Sequence, residues 1–509
     1  MSNKEYVIGI DIGSHSVVMA VGQRNDNGDL KILGVDVQDT GDSVKEGDII
    51  NFIELGNAIS RAKTALEKEL GRRFNSAYVG ISGRSTYCVR YEDYVEINEK
   101  TGCVTERELH ELNARIESVI AGGDDEIIER IPLRYRIDER QDVRNPIGAF
   151  GRKLSATYLF VVVGRQQIDR INRALYHAEM KASGLCVNPA VSLRTLLTKE
   201  EQEEGVAIVD IGSDLTDISI VRDGKLWYFS SLPIGASSIN DDLREFLKIS
   251  KSEIENLKRR YGSAMSQGVP ENTTVPVKMM GHAKKQILQR NIAEITEERL
   301  KDIAKFVMRE LKGAKFSTKL PCGVILTGGS AYLSNIEQLF AQELQMDVRL
   351  GMMLNGLDEE SNESISAFSQ SVVAGILLYG AEHKACDTMP GTLHQQPTQE
   401  RVVPTVESSD KGIFSAPIEV PHVEEEPKPI VVQPQSEPIS NPEPTVQQPE
   451  MQPQVQPANT PEEPIAQPAS DVSKTPSDST KKPEKGGSRW LDRFRSWVDG
   501  IFTEDEFIE

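Results

Sequence analysis

Two stretches of the chain carry the same four residues, Asp-Ile-Gly-Ser, between apolar runs. The first is IGIDIGSHSVVMAVG at 8–22, and the second is IVDIGSDLTDISIV at 208–221. Each pattern predicts a strand, a tight turn and a second strand. Backbone N–H groups in such a turn bind anions, and glycine lets the anion come close. An aspartate at the end of the strand can hold Mg²⁺ beside phosphate groups, usually through water.

Two hairpins of this kind, facing each other, would hold one nucleoside triphosphate between two halves of the protein. Asp11 and Asp210 would then lie on the metal side, with Gly13 and Gly212 at the points of close approach. A third stretch, GVILTGGSAYLSNI at 323–336, places two glycines after an apolar strand, where a base or ribose can approach the backbone. The alternative is that all three stretches are ordinary turns at the ends of core strands.

The composition of the chain excludes some classes of function. With 509 residues it is long enough for two or three domains. Its net charge of −20 argues against a nucleic-acid binder, which would show a basic face. The five cysteines have no metal-ligand spacing, so they favour a reducing compartment such as the cytoplasm. We expect neither a signal peptide nor a membrane-spanning helix.

The chain changes character near residue 388. Before it, apolar strand-like runs alternate with helical stretches, which is an α/β pattern. After it come 19 of the 26 prolines, so we predict a disordered linker at 388–486.

A short amphipathic helix is then predicted at 487–503. A helix lying on anionic lipid is one interpretation of it, and a helix that docks on a protein groove is the other. Its lipid-facing residues would be Trp490, Phe494, Trp497, Val498, Ile501 and Phe502, with Arg489 and Arg493 beside them.

The order of the three glycine-containing stretches resembles that of the actin/Hsp70/sugar-kinase ATPase superfamily. Within it, EIIERIPLRYRIDERQDVRNPIGAFGRKL at 126–154 closely resembles the inserted subdomain of the FtsA family of bacterial cell-division proteins. The resemblance implies an α/β, actin-like two-lobed ATPase fold with an FtsA-type inserted subdomain. The implied domains are lobe 1 at 1–83 and 166–205, the insert at 84–165, and lobe 2 at 206–387 with an outer subdomain at about 237–318.

The resemblance also implies an ATP and Mg²⁺ site, with Asp11 and Asp210 on the metal. For Glu255 and Lys258 a solvated ion pair on a helix is an equal alternative. The implied nucleotide-binding residues are Asp11, Gly13, Ser14, His15, Ser16, Asp210, Gly212, Ser213, Asp214, Gly235, Glu255, Lys258, Gly328 and Gly329.

Five residues depart from the pattern of the relatives. Ser213 and Asp214 replace glycines, and Leu215 replaces a threonine. Ser16 replaces a lysine, and Asn188 stands near the position of a Glu or Gln that orients water. We therefore expect ATP binding with weak hydrolysis at most.

The function implied is a scaffold that assembles into actin-like filaments and tethers the FtsZ ring to the membrane during division. Its partners would be the FtsZ C-terminal peptide, with Arg299 of the outer subdomain at the contact, other division proteins and anionic lipids, but no nucleic acid. It would lie on the cytoplasmic face of the inner membrane, at the septum. The alternatives are a small-molecule kinase and a PilM-type pilus-assembly adaptor of the same superfamily.

Overall fold

The structure is a computed structural model, and it describes most of the first 390 residues. The described residues are 6–390 without 26–28, 139–141, 250, 279–283, 317–319, 354, 359–360, 362–369, 384–385 and 387, together with 431–432. The predicted amphipathic helix and nearly all of the predicted linker lie outside them. In the described part, no helix is long and apolar enough to cross a bilayer.

Seven strands and one helix lie in the described residues of the first part of lobe 1. Asn51 caps the helix by accepting from the backbone N–H groups of Ile53 and Glu54, and Gly71 ends it in the left-handed conformation at φ 61°. The elements are β1 (Tyr6–Ile12), β2 (Ser16–Arg24), β3 (Leu30–Asp39), β4 (Val44–Lys45), β5 (Asp48–Ile49), α1 (Phe52–Leu70), β6 (Arg72–Phe74) and β7 (Ser76–Ile81).

The insert follows β7 and is a separate four-stranded antiparallel sheet with its own buried cluster. One helix covers it, and that helix begins with a capping box between Thr105 and Glu108. The elements are β8 (Thr86–Glu96), α2 (Glu106–Glu117), β9 (Ile120–Ala121), β10 (Asp125–Ile137), β11 (Asp142–Val143) and β12 (Lys153–Gly164). The strands lie in the order β11-β10-β12-β8.

The chain then returns to lobe 1 and completes its sheet. The returning elements are α3 (Arg165–His177), β13 (Lys181–Val187), α4 (Asn188–Val191), α5 (Leu193–Leu196) and α6 (Lys199–Glu204). The finished sheet has the order β13-β7-β1-β2-β3. Its first three strands in the chain pair antiparallel, whereas β7 and β13 are parallel to β1.

The remaining strands and helices of the described chain up to residue 390 belong to lobe 2, except the last strand, which pairs with β6 of lobe 1. They are β14 (Val206–Ile211), β15 (Thr216–Arg222), β16 (Lys225–Leu232), α7 (Ala236–Leu247), α8 (Lys251–Tyr261), β17 (Thr274–Lys278), β18 (Lys284–Leu288), α9 (Gln289–Gly313), β19 (Val324–Thr327), α10 (Ile336–Leu344), β20 (Val348–Leu350), α11 (Ser371–Ala381) and β21 (Thr388–Pro390). Two 3₁₀ turns lie at Ser266–Gly268 and Gly329–Tyr332, and a short strand β22 (Val431–Val432) pairs with β9.

The lobe 2 sheet repeats the connectivity of the lobe 1 sheet. Its order is β16-β15-β14-β19-β20, with three antiparallel strands followed by two parallel ones. Both sheets place the aspartate of the repeated motif near the end of the central strand. The predicted α/β class and the two similarly built halves are therefore confirmed.

Two features tie the halves together. Helix α11 follows the strands of the lobe 2 sheet in sequence, yet its Val373 and Ile376 belong to the same buried cluster as Ile8 of β1. On the other side, the insert contacts lobe 2. The thiol of Cys88 donates to the carbonyl of Phe229 at 3.4 Å, and Nζ of Lys225 donates to the carbonyl of Leu133 at 3.0 Å.

Candidate functional site

The two repeated motifs form hairpins with tight loops. Loop 1 comprises residues 13–15, and the N–H of Gly13 donates to the carbonyl of Ser16 at 3.0 Å. Loop 2 comprises residues 212–215, and the N–H of Gly212 donates to the carbonyl of Leu215 at 2.9 Å. The glycine after Asp-Ile thus opens the turn in both lobes.

Loop 1 is held by one threonine. The N–H of Thr40 donates to the carbonyl of His15 at 3.2 Å, and its hydroxyl donates to the carbonyl of Ser14 at 3.0 Å. Both hydrogen bonds are accepted by loop carbonyls, so the backbone N–H groups of Ser14 and His15 take no part in them.

Loop 2 is held by the first turn of α7. The N–H of Ala236 donates to the carbonyl of Gly212 at 2.9 Å, and the N–H of Ser237 donates to that of Ser213 at 2.8 Å. A Cβ on Gly235 would lie 2.3 Å from the Ser213 carbonyl oxygen, so the loop approaches the helix only because residue 235 is glycine. Gly235, a predicted nucleotide-binding residue, therefore supports loop 2 from the N-terminal end of α7.

Three aspartates, Asp11, Asp210 and Asp217, face one another between the loops. The pKa of Asp11 is raised to about 6, mainly by burial. A hydrogen bond of 2.9 Å from Nδ2 of Asn188 to Oδ1 of Asp11 lowers this pKa, whereas the charge of Asp217 raises it further. Burial, with the charges of Asp217 and Asp11, raises the pKa of Asp210 well above its ordinary value.

Asp217 closes the second repeated motif, but no separate role was assigned to it from the sequence. In the hairpin register it lies opposite Asp210, whereas Val18 lies opposite Asp11. Burial raises its pKa, although the hydroxyls of Ser231 and Ser82 both donate to its carboxylate. In the sequence, Asp217 is the final residue of DIGSDLTD. Its position opposite Asp210 could be assigned only once the length of the loop between them was known.

Glu255 and Lys258 lie on α8 and form an ion pair of 2.8 Å between Oε2 and Nζ. Burial alone would raise the pKa of Glu255, but hydrogen bonds and the charge of Lys258, with bonds from Asn240 and Arg259, lower it to about 2. The Lys258 side chain is only 9 % exposed, and its burial lowers its pKa. Within the pair, Lys258 is therefore buried, whereas the Glu255 side chain is 39 % exposed.

Gly328 and Gly329 differ in how they are packed. Gly328 has φ +88°, and a Cβ there would lie 2.3 Å from Oδ1 of Asp210 and 2.6 Å from the carbonyl oxygen of Ile211. A Cβ on Gly329 would meet no atom within 4 Å. Gly328 thus makes room for Asp210, and Gly329 leaves the surface beside it open.

A cavity of 1120 Å³ lies between the lobes and collects nearly all of these residues. Of the predicted nucleotide-binding residues, only Gly235 is not on its wall. The predicted residues on the wall are Asp11, Gly13, Ser14, His15, Ser16, Asp210, Gly212, Ser213, Asp214, Glu255, Lys258, Gly328 and Gly329. Asp217, Asn188 and Tyr332 line it too.

The departing residue Asp214 reaches across this cavity. Its Oδ2 accepts from the backbone N–H of Glu46 in lobe 1 at 3.3 Å, and its Oδ1 accepts from the Ser213 hydroxyl at 3.2 Å. The carboxylate is therefore held by a backbone amide of the opposite lobe.

Arg299 does not lie where its predicted role requires. It is on α9 but only 5 % exposed, and its Nε and Nη2 donate to the two carboxylate oxygens of Asp242 on α7 at 2.7 and 2.8 Å. The guanidinium is therefore held in a buried ion pair that joins α7 to α9 and is not presented at the surface, where the predicted contact with the FtsZ peptide would need it. The predicted lipid-facing residues, Trp490 to Phe502 with Arg489 and Arg493, lie outside the described residues.

Comparisons with known proteins match both lobe 2 and the insert. The family model described as "Cell division protein FtsA" matches residues 207–371, and the one described as "SHS2 domain inserted in FTSA" matches residues 83–162.

Two curated relatives and one solved structure cover most of the described chain. The cell division protein FtsA of Pseudomonas aeruginosa is 26% identical over 382 residues, which are 74% of this chain and 90% of the relative. FtsA of Bacillus subtilis is 26% identical over 352 residues, 69% of this chain and 79% of the relative. A solved PilM–PilN type IV pilus biogenesis complex is 16% identical, with a TM-score of 0.52, and covers 74% of this chain and 99% of its own. At that identity, the structural likeness shows the fold alone.

Proposed function

We propose that this chain, which belongs to the FtsA family of actin-like cell-division proteins, binds ATP between its two lobes and acts as a scaffold at the division site. The observation that carries the proposal is the cavity of 1120 Å³, on whose wall loop 1, loop 2, α8 and the Gly328–Gly329 turn meet. These segments are far apart in sequence, so a chance meeting of ordinary turns does not account for it. A cavity of this size accommodates a nucleotide.

The triphosphate would lie between the loops. Loop 1 and loop 2 are held by their carbonyls, which are bonded to Thr40 and to the first turn of α7. This arrangement suits the binding of an anion by backbone N–H groups.

Mg²⁺ fits beside the phosphates. Asp11, Asp210 and Asp217 border one cavity with raised pKa values, and a cation there would relieve the repulsion among them. Oδ1 of Asn188 is also buried without a hydrogen-bond partner among the described residues. Over the same residues no group of three or more His, Cys, Asp or Glu side chains is arranged to hold a metal ion. We therefore assign the ion to Asp11 and Asp210 together with the phosphates, which is the usual mode for Mg²⁺; when bound, it neutralises phosphate charge.

The adenosine would lie against α8 and the Gly328–Gly329 turn. Glu255 and Lys258 line the cavity from α8, and Gly328 and Gly329 line it from that turn. The ion pair between Glu255 and Lys258 fixes both side chains before the ligand arrives, which reduces the entropy lost on binding.

Hydrolysis would be weak. Asn188 is 8 % exposed, and its amide nitrogen donates to Asp11. Its amide nitrogen therefore positions a metal-side carboxylate, and the side chain is shorter than the Glu or Gln that would orient an attacking water. ATP would act by favouring one arrangement of the lobes, because it contacts both of them.

The scaffold role follows from family membership. We propose that the chain self-associates, binds the FtsZ C-terminal peptide through the outer subdomain at about 237–318, and anchors the division ring to anionic lipid through residues 487–503. Arg299 is left out of the FtsZ contact because it is buried against Asp242. In the lipid contact, aromatic side chains such as Trp490 and Phe494 would enter the headgroup boundary while Arg489 and Arg493 meet lipid charge.

The nucleotide part of the proposal is tested by calorimetric titration of the full chain with MgATP. Asp11→Ala should weaken binding at least ~100-fold, because it removes a metal-side carboxylate. Asp124→Ala, at an exposed aspartate of the insert, is the control and should bind like the wild type. Equal affinity in Asp11→Ala and the wild type would refute the assignment.

The membrane part is tested by sedimentation with vesicles that contain phosphatidylglycerol. The double variant Trp490→Glu with Phe494→Glu should stay in the supernatant while still binding MgATP, because the helix and the cavity are separate sites. Continued sedimentation of the double variant would show that the segment is not the lipid anchor.

A further inference from the structure

The turn between β4 and β5 directs two backbone amides toward the cavity. The N–H of Glu46 donates to Oδ2 of Asp214 at 3.3 Å, and the N–H of Gly47 donates to the Ser14 hydroxyl at 3.4 Å. Gly47, Ser14 and Asp214 all line the cavity. Both residues of the turn have positive φ, 49° for Glu46 and 81° for Gly47. Neighbouring amides in turns of this kind form anion-binding concavities.

The turn is rigidly held. Nε2 of Gln167 donates to the carbonyl of Gly47 at 2.7 Å, and the Gln167 side-chain oxygen accepts from the N–H of Ile49 at 3.5 Å. Gln167 is only 4 % exposed. A Cβ on Gly47 would lie 2.4 Å from the carbonyl oxygen of Ser82, so the turn also needs glycine at this position. Donors fixed in this way bind an anion without a reorganisation cost.

A ligand can replace the two acceptors that these amides have in the structure. Both donor–acceptor distances, 3.3 and 3.4 Å, exceed the usual 2.7–3.2 Å of an N–H···O bond. Asp214 comes from the opposite lobe and is one of the residues that depart from the relatives' glycines. The side chain of Glu46 does not compete for the amides, because it pairs with Arg84 at 3.4 Å on the outside of the turn.

We propose that the amides of Glu46 and Gly47 are a binding site for the terminal phosphoryl group of a nucleoside triphosphate, and that the carboxylate of Asp214 competes for this site. The inference rests on the proposed nucleotide function of the cavity. A triphosphate must displace Asp214 from the turn, because two anions repel each other at this distance. A diphosphate lacks the terminal group and leaves the contact between Asp214 and Glu46 in place. Asp214 therefore lowers the affinity for ATP relative to ADP, and in the absence of ATP it links the two lobes.

The test compares the affinities of the full chain for MgATP and MgADP by calorimetry. Asp214→Asn keeps the size of the side chain and removes its charge, so it should raise the affinity for MgATP about 10-fold and that for MgADP less than about twofold. Asp214→Ser, a second variant without the carboxylate, should shift the ratio of the two affinities in the same direction. Asp241→Asn is the matched control, since Asp241 also lines the cavity but is not bonded to the turn; it should change both affinities by the same factor.

The outcomes separate this inference from the proposed function. If the wild type binds both nucleotides and Asp214→Asn changes both affinities equally or not at all, the inference is wrong and the nucleotide function stands. The inference is also wrong if Asp241→Asn shifts the ratio as much as Asp214→Asn does. If the wild type binds neither nucleotide, the proposed function itself fails, and the inference fails with it.

Discussion

The hairpins of lobe 1 and lobe 2 share a backbone plan but differ in charge. In lobe 1, Asp11 lies opposite Val18 and accepts a hydrogen bond from Asn188. In lobe 2, Asp210 lies opposite a second carboxylate, Asp217. The pKa of Asp11 is raised to about 6, and that of Asp210 is raised well above its ordinary value, in part by both other carboxylates. The repeated fold thus places one aspartate of the motif in each lobe. Because the residue opposite Asp210 is a carboxylate, whereas the one opposite Asp11 is a valine, electrostatic repulsion is greater in lobe 2 when the cavity holds no cation.

The supports of the two loops differ as well. A side chain, that of Thr40, holds part of loop 1, whereas backbone amides of α7 hold loop 2. Substitutions should therefore affect the two loops by different routes: in lobe 1 through side-chain hydrogen bonds, and in lobe 2 through glycines that permit close approach.

The largest effect is expected from the glycines beside the aspartates. Gly328→Ala should destabilise the fold by about 3 kcal/mol or more, because it combines positive φ with contact to a backbone oxygen. Gly80→Ala in lobe 1 should cost less, since Gly80 does not have positive φ and its Cβ would meet the side chains of Asn188 and Ile376 instead of a backbone oxygen. Chemical denaturation measures both.

Gly329→Ala is the control for this series. Its Cβ would meet no atom within 4 Å, so the change should stay within about 0.5 kcal/mol. A loss of stability in Gly329→Ala as large as that in Gly328→Ala would show that the close approach to Asp210 is not the cause.

The charge difference between the lobes predicts a pH-dependent effect of intermediate size. The folded protein keeps the proton of Asp11 up to about pH 6, while the unfolded chain releases it near 3.8. The folded state thus binds more protons between these values, and wild-type stability falls as the pH rises through them.

Asp11→Asn removes this loss. A pKa raised to about 6 corresponds to ~3 kcal/mol, and water in the cavity screens part of it, so we expect a gain of about 2 kcal/mol at pH 8 without ligand. The gain should disappear below about pH 4. Asp210→Asn should gain more, because two carboxylates act on Asp210. Equal gains for the two variants, measured by urea unfolding at pH 4 and pH 8, would contradict the electrostatic difference between the lobes.

The smallest effect concerns the support of loop 1. Thr40→Val removes the hydroxyl that donates to Ser14 and should cost about 1 kcal/mol. Hydrogen exchange should become faster in residues 13–15 and stay unchanged in loop 2. Thr216→Val is a matched change in lobe 2, where the hydroxyl donates to the carbonyl of Ile234 at 2.8 Å. Faster exchange in loop 1 of Thr216→Val would show that the loops are not supported independently.

Much of this arrangement could be predicted from local sequence. The repeated Asp-Ile-Gly-Ser between apolar runs predicted both hairpins, and the glycine pair predicted the third segment, because these depend on short-range turn chemistry. The resemblance in 126–154 predicted the insert, which the structure has as a separate sheet.

The remaining contacts depend on distant pairs of residues. Asp214 and Glu46 are 168 residues apart, and no local pattern relates them. The resemblance to the family placed Arg299 on a helix of the outer subdomain, but which face of that helix is covered depends on Asp242, 57 residues earlier. Sequence alone therefore left Arg299 on the surface, where the structure has a buried ion pair.

The contacts of the insert with lobe 2 have a mechanical consequence. The insert is joined covalently to lobe 1 at both ends, through β7 and α3, yet Cys88 and Leu133 are bonded to Phe229 and Lys225 of lobe 2. Any change in the angle between the lobes must stretch these bonds or turn the insert with lobe 2. The insert therefore braces the two lobes against each other, and its orientation follows the angle between them.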